Sequence, residues 1–203
     1  MEDVFTSIYE NKVWGDNHNL EYSGSSGGGS DIDYNKYSYV PFLKKLITDN
    51  NVKTIVDLGC GDFKCGQLIY DDLDIISYTG YDAYKKVIDY NSTQHVLPKY
   101  SFIHLDFCNK KESIIHGDLC ILKDVIQHWS LPNIYTFLDF LVEHKIFKYI
   151  LICNCCNQTQ DDTNIKDGEG RPLSCEYFPL KKYNPIKLYN YQSKEISVIV
   201  IPK

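Results

Sequence analysis

Hydrophobic residues alternate along this chain between helical spacing and short continuous runs, which predicts helices interleaved with strands. Helical spacing appears at Val4, Phe5, Ile8 and Tyr9, then over Asp33–Asp49, Gly66–Tyr70, Tyr84–Tyr90 and Leu131–Lys145. Five apolar or β-branched runs indicate strands: Thr54–Leu58, Ile75–Tyr81, Tyr100–Leu105, Asp118–Leu122 and Lys148–Cys153. Two more runs, Ile186–Tyr191 and Glu195–Ile201, are close enough to form an antiparallel hairpin.

Strands that alternate with helices predict right-handed βαβ units and a parallel sheet. We therefore expect an α/β fold of Rossmann-like type. Its seven-stranded, mostly parallel sheet would carry helices on both faces and end in a C-terminal antiparallel hairpin. The main domain would cover residues 33–203, with a polar insertion at 154–182 between the last parallel strand and the hairpin.

The first 32 residues have a different character. They combine a short amphipathic helix with the run Ser23–Ser30, which is almost entirely Ser and Gly. Composition alone leaves a flexible linker open as one interpretation of this run.

Composition and charge limit the function classes. The 203 residues, 43% hydrophobic and 24% charged, suit one globular domain. A net charge of −6 with scattered lysines argues against a nucleic-acid partner. No secretory signal and no apolar run of membrane-spanning length is evident, so we expect a cytoplasmic protein without membrane insertion. The eight cysteines lack metal-ligand spacing, so we expect free thiols and no metal site.

The strongest chemical signal follows the first strand. Open parallel sheets bind ligands beyond the carboxyl ends of their strands, and Asp57, Gly59, Cys60 and Gly61 stand there. Glycines allow the backbone to approach a ligand closely. Asp62 would repel the pyrophosphate that a dinucleotide-binding turn holds on its helix N-terminus. A ligand with cationic groups fits better, and S-adenosyl-L-methionine carries a sulfonium and an ammonium.

Acidic residues also follow the second and third strands. Asp82, with Ala83 beside it, could accept hydrogen bonds from ribose hydroxyls, although an acid here could also cap the next helix. Asp106 could accept a hydrogen bond from an adenine amino group while Phe107 contacts the base. A simple turn residue remains the alternative at Asp106.

The fourth strand is followed by Lys123, Asp124, His128 and Trp129. Asp124 and His128 are four residues apart, so they share one face if the segment is helical. An imidazole oriented by a carboxylate can act as a general base toward a hydroxyl group, so we expect His128 to be the base and Asp124 to orient His128 or the acceptor. The alternative is a helix-capping Asp and a histidine that only packs.

Together these residues resemble the class I S-adenosylmethionine-dependent methyltransferases. The first motif of that family, an acid followed by G-x-G, matches Asp57, Gly59 and Gly61. Its ribose and adenine acids match Asp82 and Asp106, and its sheet also ends in an antiparallel strand. The chain departs from the pattern at Phe63, where a third glycine often stands.

A narrower resemblance covers most of the chain. Its segments are similar to "YxxxxWG…SGxGS", "DLPCGDFNW", "RDCLVHLS" and "GdwRPLdL" of a methyltransferase subgroup of bacteria and large DNA viruses. The matches are Tyr9, Trp14–Gly15 and Ser23–Ser25, then Asp57–Phe63, then Lys123–His128, and finally Gly168–Leu173. That subgroup accompanies glycan synthesis, which implies a sugar or glycan acceptor and, if the source is viral, a location in the host cytoplasm.

The resemblance extends the predicted site. It implies that Trp14, Ser23, Gly24, Ser25 and Lys123 contact the cofactor, so that the Ser/Gly run is a binding loop. The insertion would face the substrate, and we expect substrate contacts from Arg171, Asn154 and Trp129. A structural salt bridge is the alternative for Arg171.

Three other functions stay open. They are a nicotinamide-dependent dehydrogenase, an RNA or protein methyltransferase, and a module that binds the cofactor without catalysis. A divalent metal held by Asp124 and His128 could also assist transfer, but no third carboxylate completes such a site. The sequence does not indicate an oligomeric state.

Overall fold

A computed structural model describes residues 1–156 and 163–202, and in these residues the regular structure consists of seven strands, six α-helices and four short 3-10 helices. The helices are α1 (Glu2–Glu10), α2 (Ile32–Asn35), α3 (Tyr39–Asp49), α4 (Gly66–Tyr70), α5 (Lys85–Gln94) and α6 (Leu131–His144). The strands are β1 (Thr54–Leu58), β2 (Ser77–Asp82), β3 (Tyr100–His104), β4 (Gly117–Lys123), β5 (Phe147–Cys155), β6 (Ile186–Tyr191) and β7 (Lys194–Val200).

The strands form one sheet in the order β3-β2-β1-β4-β5-β7-β6. Strands β1 to β5 are parallel, β7 runs antiparallel to β5, and β6 pairs antiparallel with β7. The predicted Rossmann-like sheet with a C-terminal hairpin is therefore confirmed. Strand order reverses between β1 and β4, which is where such sheets bind ligands.

Two hydrophobic layers flank the sheet. One packs α6 against it through Ile134, Phe137, Leu138 and Leu141. The other packs α3 on the opposite face through Tyr39, Val40, Leu43 and Ile47. These helices make a rigid support for the strand ends where the candidate chemistry lies.

The helix predicted over Asp33–Asp49 is wrong in one respect, because the structure breaks it into α2 and α3. Asn35, at the end of α2, donates its side-chain amide to the carbonyls of Gly29 and Asp31, both at 2.8 Å. Ser38 then has a non-helical backbone before α3 begins. The break lets Asn35 hold the Ser/Gly run instead of continuing the helix.

Strand β5 continues two residues beyond its predicted end at Cys153. Asn154 pairs in register with Glu195, and Cys155 with Lys194. The first residues of the predicted insertion 154–182 therefore belong to the sheet. Residues 157–162 of that insertion lie outside the described residues.

No helix within residues 1–156 and 163–202 is long and apolar enough to cross a membrane.

Candidate active site

A cavity that is partly open to solvent lies beyond the carboxyl ends of β1, β2 and β4. It is lined by residues from each strand end and from the N-terminal segment. Five of the lining side chains are carboxylates, Asp57, Asp62, Asp82, Asp106 and Asp124, while two are lysines, Lys64 and Lys123. The N-terminal ammonium of Met1 also lines the cavity, 3.2 Å from Asp106, so five carboxylates face three cationic groups, and this excess favours a cationic ligand.

The glycine turn after β1 forms the floor of this cavity. Gly59 and Gly61 have φ angles of +87° and +53°, and a Cβ atom at Gly61 would overlap Ser26 Oγ. The amides of Gly59 and Cys60 both donate to the carbonyl of Tyr81, at 2.8 and 3.0 Å. The turn is therefore fixed on β2, and glycine is required where it bends.

Asp82 links the turn to the end of β2. One carboxylate oxygen accepts a hydrogen bond from Gly61 N at 3.0 Å, and the other accepts one from Tyr84 N at 2.9 Å. Burial raises the pKa of Asp82 to about 6 despite these bonds. Asp82 and Ala83 line the cavity, but Asp82 does not cap α5, because the N-cap residue of that helix is Tyr84 and no side chain makes the cap hydrogen bond.

Asp57 lies at the same edge of the sheet. It accepts a hydrogen bond from the Tyr78 hydroxyl at 2.8 Å, and burial raises the pKa of Asp57 to about 6. Asp62 lines the cavity beside it, with its carboxylate 3.1 Å from Lys64 Nζ.

Asp106 and Phe107 line the far end of the cavity, after β3. Asp106 accepts hydrogen bonds from the backbone N–H of Glu2 at 3.0 Å and from the Asn109 amide at 2.8 Å. Burial alone would raise the pKa of Asp106, but these bonds, together with one from the N-terminal ammonium of Met1, outweigh it and lower the pKa. The first turn of α1 therefore shares this carboxylate with any ligand that reaches it.

The Ser/Gly run folds over the glycine turn, although the residues nearest the cavity differ from those predicted. The residues of this run that line the cavity are Ser26 and Ser30. Ser26 Oγ accepts a hydrogen bond from Asp62 N at 2.9 Å and bonds the Tyr9 hydroxyl at 2.7 Å. Ser23, Gly24 and Ser25 lie behind this layer: Ser23 N donates to Tyr84 OH, Gly24 packs against the Tyr9 backbone, and the Ser25 hydroxyl accepts from Gly27 N. Cofactor contact by these three stays a prediction.

The predicted orientation of His128 by Asp124 is wrong. Asp124 has a left-handed backbone (φ +59°), and the segment after it is a single 3-10 turn, Ile126–His128, rather than an α-helix. The Asp124 carboxylate pairs with Lys194 Nζ and with Lys123 Nζ, which lies 2.9 Å away. Burial would raise the pKa of Asp124, but the two ammonium groups outweigh it and keep the carboxyl ionised.

His128 lies beside the cavity, not among its lining residues. Its ring is 4.8 Å from that of Trp14, which does line the cavity. Nδ1 is 2.9 Å from the carbonyl oxygen of Glu169, and Nε2 is 3.1 Å from the side-chain nitrogen of Gln127. Burial lowers the pKa of His128, so its imidazole is neutral near pH 7.

The predicted substrate residues have different surroundings. Trp129 lines the cavity. Arg171 is buried, and its guanidinium donates to the carbonyls of Trp129 at 2.8 Å and Thr163 at 2.9 Å, so it ties the insertion to the segment just before α6. Asn154 is buried in β5 and does not line the cavity. Substrate contact by Arg171 and Asn154 stays a prediction, and the structure gives Arg171 a structural role.

Sequence reasoning missed several residues that build the site. Asn91 is buried in α5 and donates to Gly61 O at 2.7 Å. Asn91 lies one helical turn from Val87 and Ile88, so its polar side chain is on the apolar face of α5. This departure from the helical pattern could have been noticed in the sequence. Lys194 and Gln127 had no such signal, because their partners come from distant parts of the chain.

Among residues 1–156 and 163–202, no three His, Cys, Asp or Glu side chains lie in a group that could hold a metal ion.

No protein-family model matches the sequence, and no curated protein sequence matches it. Solved structures do share its architecture. The N-methyltransferase NodS of Bradyrhizobium japonicum, in complex with S-adenosyl-L-homocysteine, superposes with a TM-score of 0.68 at 11% identity, covering 98% of this chain and 99% of that one.

Two further structures give the same result. An O-methyltransferase family protein of Burkholderia thailandensis superposes with a TM-score of 0.64 at 11% identity over 85% of this chain, although the match spans only 58% of that chain. A complex of DhpI with S-adenosylhomocysteine gives 0.64 at 10% identity, covering 86% of this chain and 89% of that one. The chain therefore has the class I S-adenosylmethionine-dependent methyltransferase fold.

Proposed function

We propose that the protein is an S-adenosylmethionine-dependent O-methyltransferase that acts on a hydroxyl group of a sugar. The observation that carries the methyl-donor part is the convergence of Asp57, Asp82 and Asp106, each at the end of a different parallel strand, on one cavity. The fold, shared with proteins solved in complex with S-adenosylhomocysteine, supports the same cofactor.

The residues present fit that cofactor. Asp82 would accept hydrogen bonds from the ribose hydroxyls, and Asp106, Ala83 and Phe107 would surround the adenine. Asp57 and Asp62 would face the ammonium group of the methionine portion, and Lys123 its carboxylate. The positive φ at Gly59 and Gly61 leaves the turn free of side chains that would block this approach. When bound, the cofactor supplies an electrophilic methyl group on its sulfonium.

Asp62 also argues against a dinucleotide. Its carboxylate is buried beside the glycine turn, where a pyrophosphate would need neutral or positive surroundings. A nicotinamide cofactor would meet this charge directly, whereas a sulfonium compound would be stabilised by it.

The acceptor part rests on the N-terminal segment and on His128. Trp14 lines the cavity and contacts the His128 ring, so an acceptor packed on Trp14 would lie close to the imidazole. The segments that contain Trp14, Asp124 and Arg171 resemble segments of methyltransferases that accompany glycan synthesis, which favours a sugar as the acceptor. His128 would take the hydroxyl proton, and the walls of the cavity would hold the oxygen in line with the methyl group.

Calorimetry and a transfer assay test the two parts separately. We expect purified protein to bind S-adenosylmethionine more tightly than NAD, and tighter binding of NAD would contradict the proposed cofactor. With cofactor carrying a labelled methyl group, a panel of deoxysugars and oligosaccharides should include a labelled product. Cofactor binding with transfer only to RNA, protein or a non-sugar molecule would leave the donor and overturn the acceptor.

A further inference from the structure

The side-chain amide of Gln127 bridges the end of β5 and the His128 ring. Gln127 is 7% exposed and lies in the 3-10 turn after β4. Its Oε1 accepts a hydrogen bond from the backbone N–H of Cys155 at 2.7 Å, and its Nε2 is 3.1 Å from His128 Nε2. The backbone carbonyl of Gln127 also accepts from Arg171 N at 3.1 Å, so the residue is held at both its main chain and its side chain.

The partner on β5 fixes which way the amide points. A backbone N–H can only donate, so the atom facing Cys155 must be the amide oxygen, and the amide nitrogen must face His128. An amide nitrogen only donates, so the His128 Nε2 that it contacts must accept and carries no proton.

The other side of the ring leads to the same tautomer. His128 Nδ1 is 2.9 Å from the carbonyl oxygen of Glu169, which can only accept, so Nδ1 must carry the proton. Two contacts from different parts of the chain, β5 through Gln127 and the loop at Glu169, thus agree on one neutral form.

We infer that Gln127 is a positioning residue that holds His128 as the neutral Nδ1–H tautomer, with the Nε2 lone pair reserved for the acceptor hydroxyl. The role of that lone pair in catalysis rests on the proposed function, whereas the tautomer does not. During transfer the acceptor hydroxyl would displace the Gln127 amide from His128 Nε2 and give its own proton to Nε2. The other proton would stay on Nδ1, hydrogen-bonded to the Glu169 carbonyl, and the imidazolium would later release the Nε2 proton to solvent.

Other groups act on the same ring, so the test must separate them from Gln127. The charges that influence the imidazole are the Asp124 carboxylate, which favours protonation, and the Lys194 ammonium, which opposes it. The Glu169 carboxylate accepts a hydrogen bond from Lys166 N at 2.9 Å. Trp14 and Gly170, which carry no charge, lie next to the His128 ring.

Nuclear magnetic resonance of the ring nitrogens tests the inference without any substrate. The His128 signals are assigned by comparison with His128→Gln. We expect the unmodified protein to show a protonated Nδ1 and an unprotonated Nε2. A ring protonated at Nε2 in the neutral form would overturn the inference.

Reversing the polarity of the bridge gives the second test. In Gln127→Glu, one oxygen can still accept from Cys155 N while the other offers a negative acceptor to Nε2. We expect this variant to raise the pKa of His128 by about 1–3, as a nearby opposite charge does. An unchanged His128 pKa would overturn the inference. Gln94→Glu, an exposed substitution on α5, is the matched charge control and should leave the pKa unchanged.

Gln127→Met is the companion variant if the buried carboxylate prevents folding. It keeps the side-chain length but removes both hydrogen bonds, so we expect a mixture of the two neutral tautomers. A pure Nδ1–H form in this variant would show that Glu169 alone sets the tautomer and would overturn the role of Gln127.

Kinetics then separate the inference from the proposed function. If His128 is the base, the acidic limb of the kcat profile, where activity rises with pH, should move to higher pH in Gln127→Glu together with the His128 pKa. If the His128 pKa moves and the kcat profile does not, Gln127 still holds the Nδ1–H tautomer of His128, but His128 is not the catalytic base.

Discussion

The carboxylate of Asp124 accepts a hydrogen bond from the buried ammonium of Lys194, which reaches it from the first residue of β7. This ion pair joins the end of β4 to the C-terminal hairpin. The backbone of Gly29 lies against both side chains, and Lys123 donates to Gly29 O at 2.5 Å. Asp124 therefore pairs with the lysine that holds the Ser/Gly run, and it does not orient His128.

Removing the Lys194 ammonium should destabilise the folded chain. In Lys194→Met the buried Asp124 carboxylate keeps only Lys123 as a partner. Because one partner remains, we expect the free energy of unfolding to decrease by an amount near the lower end of the usual range for a broken buried pair, about 3–5 kcal/mol. Urea unfolding measures the change. Lys85→Met, which breaks the exposed pair of Lys85 with Asp89, is the control and should cost at most about 1 kcal/mol. Equal losses in the two variants would contradict a buried anchor.

Substitution at the glycine turn should affect binding and stability together. In Gly61→Ala an alanine must adopt the left-handed backbone conformation of Gly61, which costs about 1–2 kcal/mol. The new Cβ atom also overlaps Ser26 Oγ. We expect lower unfolding free energy and weaker S-adenosylmethionine binding by calorimetry. Gly28→Ala is the control, because the nearest atom to its Cβ, Asp31 Oδ2, is 4.0 Å away. If Gly61→Ala binds as well as Gly28→Ala, the turn is not part of the cofactor site.

Loss of the Asp82 charge should weaken cofactor binding. Asp82→Asn keeps the shape of the side chain and can still accept from one backbone N–H, but it lacks the charged oxygen for a ribose hydroxyl. We expect affinity to fall by about 1.5–3 kcal/mol, the usual range for hydrogen bonds to charged groups. Calorimetry measures it, with exposed Asp89→Asn on α5 as the control. Unchanged affinity would remove Asp82 from the ribose site.

Cofactor affinity should fall as the solution becomes acidic. The pKa values of Asp57 and Asp82 are raised to about 6, so both carboxylates lose their charge as pH drops through 6. For each that binds in its charged form, the dissociation constant should rise by up to about tenfold per pH unit below 6. Titrations from about pH 7.5 to pH 5 measure this, and a flat profile would contradict it.

The same pKa shifts predict the opposite trend in stability. Unfolded aspartates have a pKa near 3.9, below the folded values, so protonation favours the folded chain. The contribution of these two carboxylates to the unfolding free energy is fully present below about pH 4 and is lost as pH rises through about 6. Asp57→Asn should weaken this dependence, which denaturant unfolding at several pH values would show.

Replacing the imidazole should lower turnover but not cofactor affinity. His128 does not line the cavity, so His128→Ala should leave S-adenosylmethionine binding nearly intact. Loss of a general base should reduce kcat by roughly 10²–10⁴-fold. Near-full activity of His128→Ala across the pH range would mean that another group, or water, takes the proton.

Much of the fold could be read from local pattern. The bounds of β1 agree with those predicted, because a β-branched run ending in a glycine turn is a strong local signal. The acids at the ends of β1, β2 and β3 could be placed together because parallel strands bring their carboxyl ends to one edge.

The sequence by itself determined the alternation of strands and helices, the glycine turn and the row of acids, since each depends on neighbours along the chain. Only the tertiary structure decided the partners of Asp124, His128 and Arg171. Asp124 meets Lys194 and His128 meets Glu169, and these partners come from β7 and the insertion, distant in sequence. Charge and hydrogen-bond pairing across such distances is set by how the hairpin and loops pack on the sheet, which spacing along the chain does not encode.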